Sequence, residues 1–415
     1  MSLHDPTSTP PGASEDGFPH RTRLRGVTRN VFLLGLVSFF TDVSSDMIVP
    51  LLPAFLGTLG IASVAMSLGW IEGVADSSVG LLKLWSGWWS DKIRSRKPLV
   101  IAGYSLSMVM RPAIALSTLG WHVIVLRFAD RVGKGIRTAP RDALVAASCS
   151  PEDRGRAFGF QRAMDNAGAV VGPLIASALL LAFAVNDNKY RWIFALALIP
   201  GIIAVALLFL VREERPESSA PHLQSPSSNL KPLPQSFWRY LVVVLLFTLG
   251  NSSDLFLLLR ARDIGVPDGM LPALWSLLQA VKALTAWYGG ILSDRLGRRP
   301  MLIAGWMIYA GCYIGFAHVS SILTLIMLLT LYGCYYGCVE PTERALVADI
   351  IADQPSARGT AYGFFNCAVS IGALPASVMF GWLWHQFDAF TAFHFGATLA
   401  LAAALGLMLV KFPKR

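Results

Sequence analysis

One apolar run of about twenty residues follows another along this 415-residue chain. A run of that length is what a helix needs to cross a bilayer. Twelve such runs are read, at about 30–55, 65–89, 98–118, 121–147, 157–184, 190–211, 239–260, 270–291, 300–319, 321–350, 359–384 and 390–411. The fold class expected is an all-α integral membrane protein with 12 transmembrane helices. Composition agrees: 54% of residues are hydrophobic and only 15% are charged, where a soluble domain carries about 25% charged residues. The net charge of +9 would suit nucleic acid, but the basic residues cluster in short connections on one side. No nucleic-acid partner is therefore expected; the lipid bilayer is.

The polar stretches divide the chain. Residues 1–29 are rich in Pro, Ser, Thr and Gly and lack an apolar core with a cleavage site, so they read as a disordered cytoplasmic tail. Residues 212–238 are polar and rich in Pro and Ser, a cytoplasmic linker between an N-terminal six-helix half, 30–211, and a C-terminal one, 239–411. Residues 412–415 form a second short tail. Connections after even-numbered runs hold Lys92–Lys97, Arg154, Arg156, Arg212, Arg215, Arg295–Arg299 and Arg358. The opposite connections hold few basic residues, with Lys189, Arg191, Arg260 and Arg262 as exceptions. That bias places both termini in the cytoplasm of a multi-pass protein of the inner (cytoplasmic) membrane.

The two halves also repeat each other. Gly87–Pro98 reads GWWSDKIRSRKP and Gly290–Pro300 reads GILSDRLGRRP. Asp46 closes SSD in the first run, and Asp254 closes SSD in the seventh. PEDRGRAFGF at Pro151–Phe160 answers PSARGTAYGF at Pro355–Phe364. With an even number of runs per half, the halves share one orientation. They are expected to be related by a pseudo-two-fold axis along the membrane normal, with a solute site between them near the midplane.

Two like-oriented six-span halves, with a G-x-x-x-D-R-x-G-R-R loop after spans two and eight, resemble the major facilitator superfamily over about residues 30–411. Gly290, Asp294, Arg295, Gly297, Arg298 and Arg299 match the loop at every defined position. The first copy (Gly87, Asp91, Lys92) departs, with Lys92 for Arg and one extra residue before Pro98. The resemblance implies that these loops are cytoplasmic gates that bias the inward–outward equilibrium. By themselves the residues allow a second reading, in which the loops are topology signals only.

Charges inside a membrane are costly unless they face a cavity or a partner, which makes them functional candidates. Asp42 and Asp46 lie four apart on one face of span one, and Glu72, Asp76 and Lys83 fall on one face of span two. At about 1.5 Å per residue, Asp42 and Asp76 reach similar depths, a plausible site for proton exchange. Span four carries a wide stripe of Arg127, Asp130, Arg131, Lys134, Arg137 and Arg141. The resemblance implies a coupling arginine here, with Arg127 and Arg131 both open as the candidate. Arg111 in span three and Arg162 and Asp165 in span five complete the set. Gly168, Gly172 and Pro173 resemble part of a fifth-span motif associated with antiporters, and small residues at that spacing also serve close packing. The second half offers Asp254 and Lys282, and Tyr335, Tyr336, Trp275 and Asn366 either line an amphipathic pocket or pack in the core.

No nucleotide-binding loop, metal-ligand pattern or hydrolytic constellation is present, and the five cysteines show no framework spacing. Neither cofactor nor metal nor enzymatic activity is expected. The expectation is a secondary transporter working as a monomer on a small-molecule substrate and protons, as a proton-coupled antiporter exporting a small organic compound. A proton symporter or facilitator importing an anionic metabolite, and a non-transporting membrane sensor or scaffold, are the alternatives.

Overall fold

A computed structural model describes residues 27–93, 96–149, 153–213, 233–351 and 358–410. Residues 1–26 of the expected N-terminal tail, all of the expected tail at 412–415 and most of the expected linker (214–232) lie outside the described residues.

The described chain is helical, in the order α1 (Arg29–Asp46), α2 (Leu52–Thr58), α3 (Val64–Ile93), α4 (Lys97–Ala113), α5 (Gly120–Ala147), α6 (Arg154–Ala182), α7 (Lys189–Leu196), α8 (Leu198–Leu210), α9 (Gln235–Gly250), α10 (Leu255–Asp263), α11 (Leu271–Leu296), α12 (Arg298–His318), α13 (Ile322–Ile350), α14 (Arg358–Gln386) and α15 (Ala389–Leu409). Thr28 caps α1 by accepting from the Val31 N–H at 3.3 Å, and Ser321 and Asp388 cap α13 and α15 in the same way. Nine stretches of the described chain are long and apolar enough to cross a membrane. Helices α3, α5 and α11, of 30, 28 and 26 residues, are long enough but fall outside that apolar set. Of these, α3 and α5 are the two helices richest in charged residues.

Three of the expected continuous spans are broken, span six at Ala197, which separates α7 from α8. Span one divides into α1 and α2 at a 3-10 turn, Val49–Leu51, where Pro50 and Pro53 withhold amide donors from the ladder. Span seven divides into α9 and α10, with residues 251–253 out of helical conformation. The breaks in spans one and seven each fall beside one copy of the repeated SSD. The Gly250 carbonyl at the second break accepts from Tyr309 Oη at 2.8 Å. At the junction of α11 and α12, Gly297 takes φ +91°, a conformation that an L side chain resists, which explains the glycine inside the repeated loop.

Close backbone approach holds the helices together. A Cβ on Gly172 of α6 would fall 2.7 Å from the Val43 carbonyl of α1, and Gly168 meets Phe39 likewise. The span-five glycines thus serve helix packing. Between the N-terminal helices (α1–α8) and the C-terminal ones (α9–α15), α3 lies against α14: Gly69 would place a Cβ 2.6 Å from the Ser377 carbonyl. Helix α6 meets α11, where Ser276 Oγ donates to Val170 O at 2.9 Å. Large apolar side chains such as Val242, Leu323 and Leu405, each more than 60% exposed, point outward. That is the pattern of a surface solvated by lipid.

Chain-end contacts mark one face of the bundle. Asn30 Nδ2 donates to Arg212 O at 2.8 Å, Lys97 Nζ donates to Val211 O at 2.6 Å, and Arg299 reaches Met408 O. We call this the terminal face, and its opposite, where α10 turns into α11, the distal face.

Candidate functional site

A cavity of about 850 Å³ lies between the two helix sets. Helices α1, α3, α5 and α6 wall one side; α11, α13, α14 and the α9–α10 break wall the other. Among the described residues the wall carries seven acids (Asp42, Asp46, Glu72, Asp76, Asp165, Asp254, Glu340) and seven bases (Arg131, Lys134, Arg137, Arg141, Arg162, Lys282, Arg344). With all of these ionised, the described wall carries no net charge.

The N-terminal wall is layered. Behind it, Arg127 is 1% exposed and donates to Glu72 at 2.7 Å, with Asp130 at 3.5 Å. Arg111, also buried, holds Asp130 at 2.9 Å and donates to the Thr41 carbonyl at 2.7 Å. These bonds knit α1, α3, α4 and α5 together, and of the groups only Glu72 lines the cavity; Arg111, Arg127 and Asp130 do not. Arg131 does: its Nη2 stands 3.8 Å from both Glu72 and Asp76, the latter half-exposed. The two arginines lie one turn apart on the same stripe of α5, and it is the packing around them that buries Arg127 and leaves Arg131 at the opening. Further along α5, Arg137 stacks 4.4 Å from the Tyr104 ring centroid and donates to Ser107, and Arg141 meets Asp142 at 3.0 Å and Asp165 at 3.8 Å.

Asp42 and Asp46 both face the cavity. Among the described residues Asp42 has no hydrogen bond or ion pair, and Asp46 accepts one bond, from Trp275 Nε1 of the opposite wall at 2.9 Å. Lys134 lines the cavity on the facing stretch of α5.

On the C-terminal wall, Asp254 is the hub. Its Oδ2 receives Lys282 Nζ at 2.5 Å and Tyr336 Oη at 3.3 Å, and its Oδ1 receives Tyr332 Oη at 2.7 Å. Lys282 Nζ sits 3.7 Å from the Tyr336 ring centroid. Trp275 and Tyr336 line the cavity. Tyr335, 2% exposed, belongs instead to an aromatic core with Phe247 and Tyr309. Asn366 is exposed but lies off the cavity wall. Two residues at the terminal end of the wall escaped the site expected from sequence: Glu340, which receives Arg162 at 2.6 Å across the two helix sets, and Arg344.

Bonds between the helix sets also cluster at the distal face. Tyr190 Oη donates to Asp268 at 2.5 Å, Ser177 Oγ to Gly269 O at 3.0 Å, and Arg262 to Pro53 O at 3.5 Å. Of the repeated loops, the side chains of Lys83, Gly87, Asp91, Lys92, Gly290 and Asp294 lie outside the described residues. Arg295 is exposed, and Arg298 ties α12 to Ser293 of α11 at 2.6 Å and to Asp349 of α13 at 3.4 Å.

The chain matches the family model of the Major Facilitator Superfamily over residues 34–374 and 255–415. It is 33% identical over 399 residues to an uncharacterized MFS-type transporter of Methanocaldococcus jannaschii, covering 93% of this chain and 96% of the relative. It is 25% identical over 389 residues to a multi-drug resistance efflux pump of Streptococcus pneumoniae, covering 90% and 94%. Among solved structures, a bacterial homolog of the human lysosomal transporter Spinster, in an inward-facing and unoccupied conformation, superposes with a TM-score of 0.71 at 16% identity, over 94% of this chain and 96% of that one. With apolar helices around a charged inter-set cavity, and a family model spanning nearly the whole described chain, this protein belongs to the major facilitator superfamily of membrane transporters.

Proposed function

We propose that the protein is a proton-coupled antiporter that exports a small organic compound from the cytoplasm by alternating access. In this reading α3, α5 and α11 span the bilayer with the nine more apolar stretches. The twelve spans form two six-helix halves joined by a cytoplasmic linker, with both termini cytoplasmic. The terminal face is then cytoplasmic, and the distal bonds seal the outer side of an inward-open cavity. The cavity is complete within one chain, so the monomer is the working unit.

The observation that carries coupling is Asp42. It is a cavity-facing carboxylate one turn from Asp46, with no cation bonded to it among the described residues. A carboxylate so placed can take up and give up a proton during the cycle without dismantling a packed ion pair. Asp76, held only loosely by Arg131 at 3.8 Å, extends the same surface, and Glu72 beside it is fixed by Arg127 at 2.7 Å. Arg131 is therefore our coupling arginine, and Arg127 is the structural one. The likeness to a multi-drug efflux pump supports export. The repeated loops would then act as gates at the cytoplasmic seam.

Energised everted vesicles test this. A pH-sensitive dye reports proton exit as small organic solutes are added singly. Active solutes should dissipate the gradient with the wild type and not with Asp42→Asn. Solute transport that persists with a protonophore, or an unchanged dye response in Asp42→Asn, refutes proton coupling. Net uptake from the outer side, driven by the gradient, favours the symport alternative.

A further inference from the structure

Lys282 places its ammonium in a small receptor on the cavity wall. The Asp254 carboxylate lies 2.5 Å away, the face of Tyr336 is 3.7 Å away, and the Trp275 ring centroid is 6.0 Å away. A carboxylate beside aromatic faces is how proteins bind alkylammonium groups. The chain thus fills an ammonium site with an ammonium of its own. The pair is not sealed in: Lys282 and Asp254 side chains are 17% and 12% exposed, on the wall itself. Tyr332 and Tyr336 steady the carboxylate from behind with two phenol donors.

We propose that this pair is the head-group subsite of the transported solute, and that the solute class is zwitterionic, with an ammonium and a carboxylate on neighbouring atoms as in an α-amino acid. The ligand ammonium takes the place of Lys282 at Asp254, and the released Lys282 takes the ligand carboxylate. Two acids and two ammoniums then alternate around a ring, and no charge is left without a partner. A simple amine would leave two cations sharing Asp254. A simple carboxylate would draw Lys282 off and leave Asp254 to the two phenols alone. Both leave a net charge in a cavity whose described wall has none, where an unpaired charge is costly. The Tyr336 and Trp275 rings and Ala283 and Ala286 supply apolar surface for the rest of the solute.

This inference rests on the transport reading of the same cavity, and its test needs no proton gradient, so either can fail alone. Purified full-length protein in detergent is titrated with L-norleucine, pentylammonium and hexanoate. These share an alkyl tail and differ in head group. The wild type should bind norleucine at least about tenfold more tightly than either partial analogue, since a site that pairs polar groups rejects ligands lacking one. Lys282→Met empties the ammonium site and should gain pentylammonium affinity by at least about tenfold. Asp254→Asn frees the lysine and should gain hexanoate affinity similarly. A purely structural ion pair produces no such exchange of preference. Wild-type protein that binds pentylammonium or hexanoate as well as norleucine, or binds none of the three, overturns the proposal even where a variant fails to fold. Folded variants that lose norleucine without gaining the matching partial analogue overturn it as well.

Discussion

Arg127→Met should destabilise the protein by about 3–5 kcal/mol, the usual cost of removing one partner from a buried ion pair. Arg127 is 1% exposed, and its loss strips Glu72 of a 2.7 Å bond and leaves it with Arg131 at 3.8 Å. Asp130 loses its second cation and keeps Arg111. Arg131→Met removes only contacts of 3.8 Å, one of them to the half-exposed Asp76, so its cost should be about 0–1 kcal/mol. Transport should follow the opposite order. Arg131→Met should fold and fail to couple. In Arg127→Met the molecules that remain folded should retain coupling. Equilibrium unfolding in mixed micelles, followed by far-ultraviolet circular dichroism, gives the stabilities. A cycle with Glu72→Gln should return a coupling energy of about 1–3 kcal/mol for Arg127. If Arg127→Met is within about 0.5 kcal/mol of wild type while coupling is lost, the two arginines have been assigned the wrong way round.

Three further outcomes follow from the packing. Gly172→Leu drives a side chain into the Val43 backbone and should cost at least about 1–3 kcal/mol, whereas Gly159→Ala, inside α6 with open space beside it, should stabilise by about 0.4–1 kcal/mol in the same unfolding assay. Asp268→Asn weakens the distal bonds to Tyr190 and Arg262, so a cysteine placed at Val49 on the cavity wall should react faster with a membrane-impermeant thiol reagent from the distal side; an unchanged rate removes these bonds from the seal. The Asp388 carboxyl is held below the usual carboxylate range by hydrogen bonds from Thr391 at the start of α15. A lowered folded pKa stabilises above the unfolded value of about 3.9, and the contribution is lost as pH falls through the folded one. Asp388→Ala should therefore melt below wild type at pH 7, with the gap closing under acid conditions.

How much of this was legible beforehand depended on the kind of information each feature needs. The apolar runs predicted helices close to those found, because run length is a local property. The repeated SSD pointed to Asp46 and Asp254, and the structure places both beside breaks in otherwise continuous helices. The breaks themselves were missed: Pro50 and Pro53 signalled the first, but residues 251–253 contain no proline, and Gly250 alone is a weak marker in an apolar run. Which helix carries each charge was legible, and facing was not. Arg127 and Arg131 share one polar stripe on α5, and only the packing of α3 and α4 shows which edge opens on the cavity. Tyr335 and Tyr336 are adjacent, so about 100° of helical turn sends one into the aromatic core and the other to the wall. Glu340 pairs with Arg162 of the other helix set, a contact between residues 178 positions apart that no local pattern announces.

Coupled alternation is the central claim, and pulsed dipolar spectroscopy reads it directly. One pair of spin labels goes on the distal face, at the exposed positions Val185 and Met270; another goes toward the terminal face, at Phe158 and Tyr288. The account predicts two distance populations for each pair. The distal pair should lengthen as the terminal pair shortens, with a ratio that changes between about pH 5 and 8 in the wild type and stays fixed in Asp42→Asn. A single unchanging distance at both faces, or a pH response that Asp42→Asn leaves intact, would contradict it.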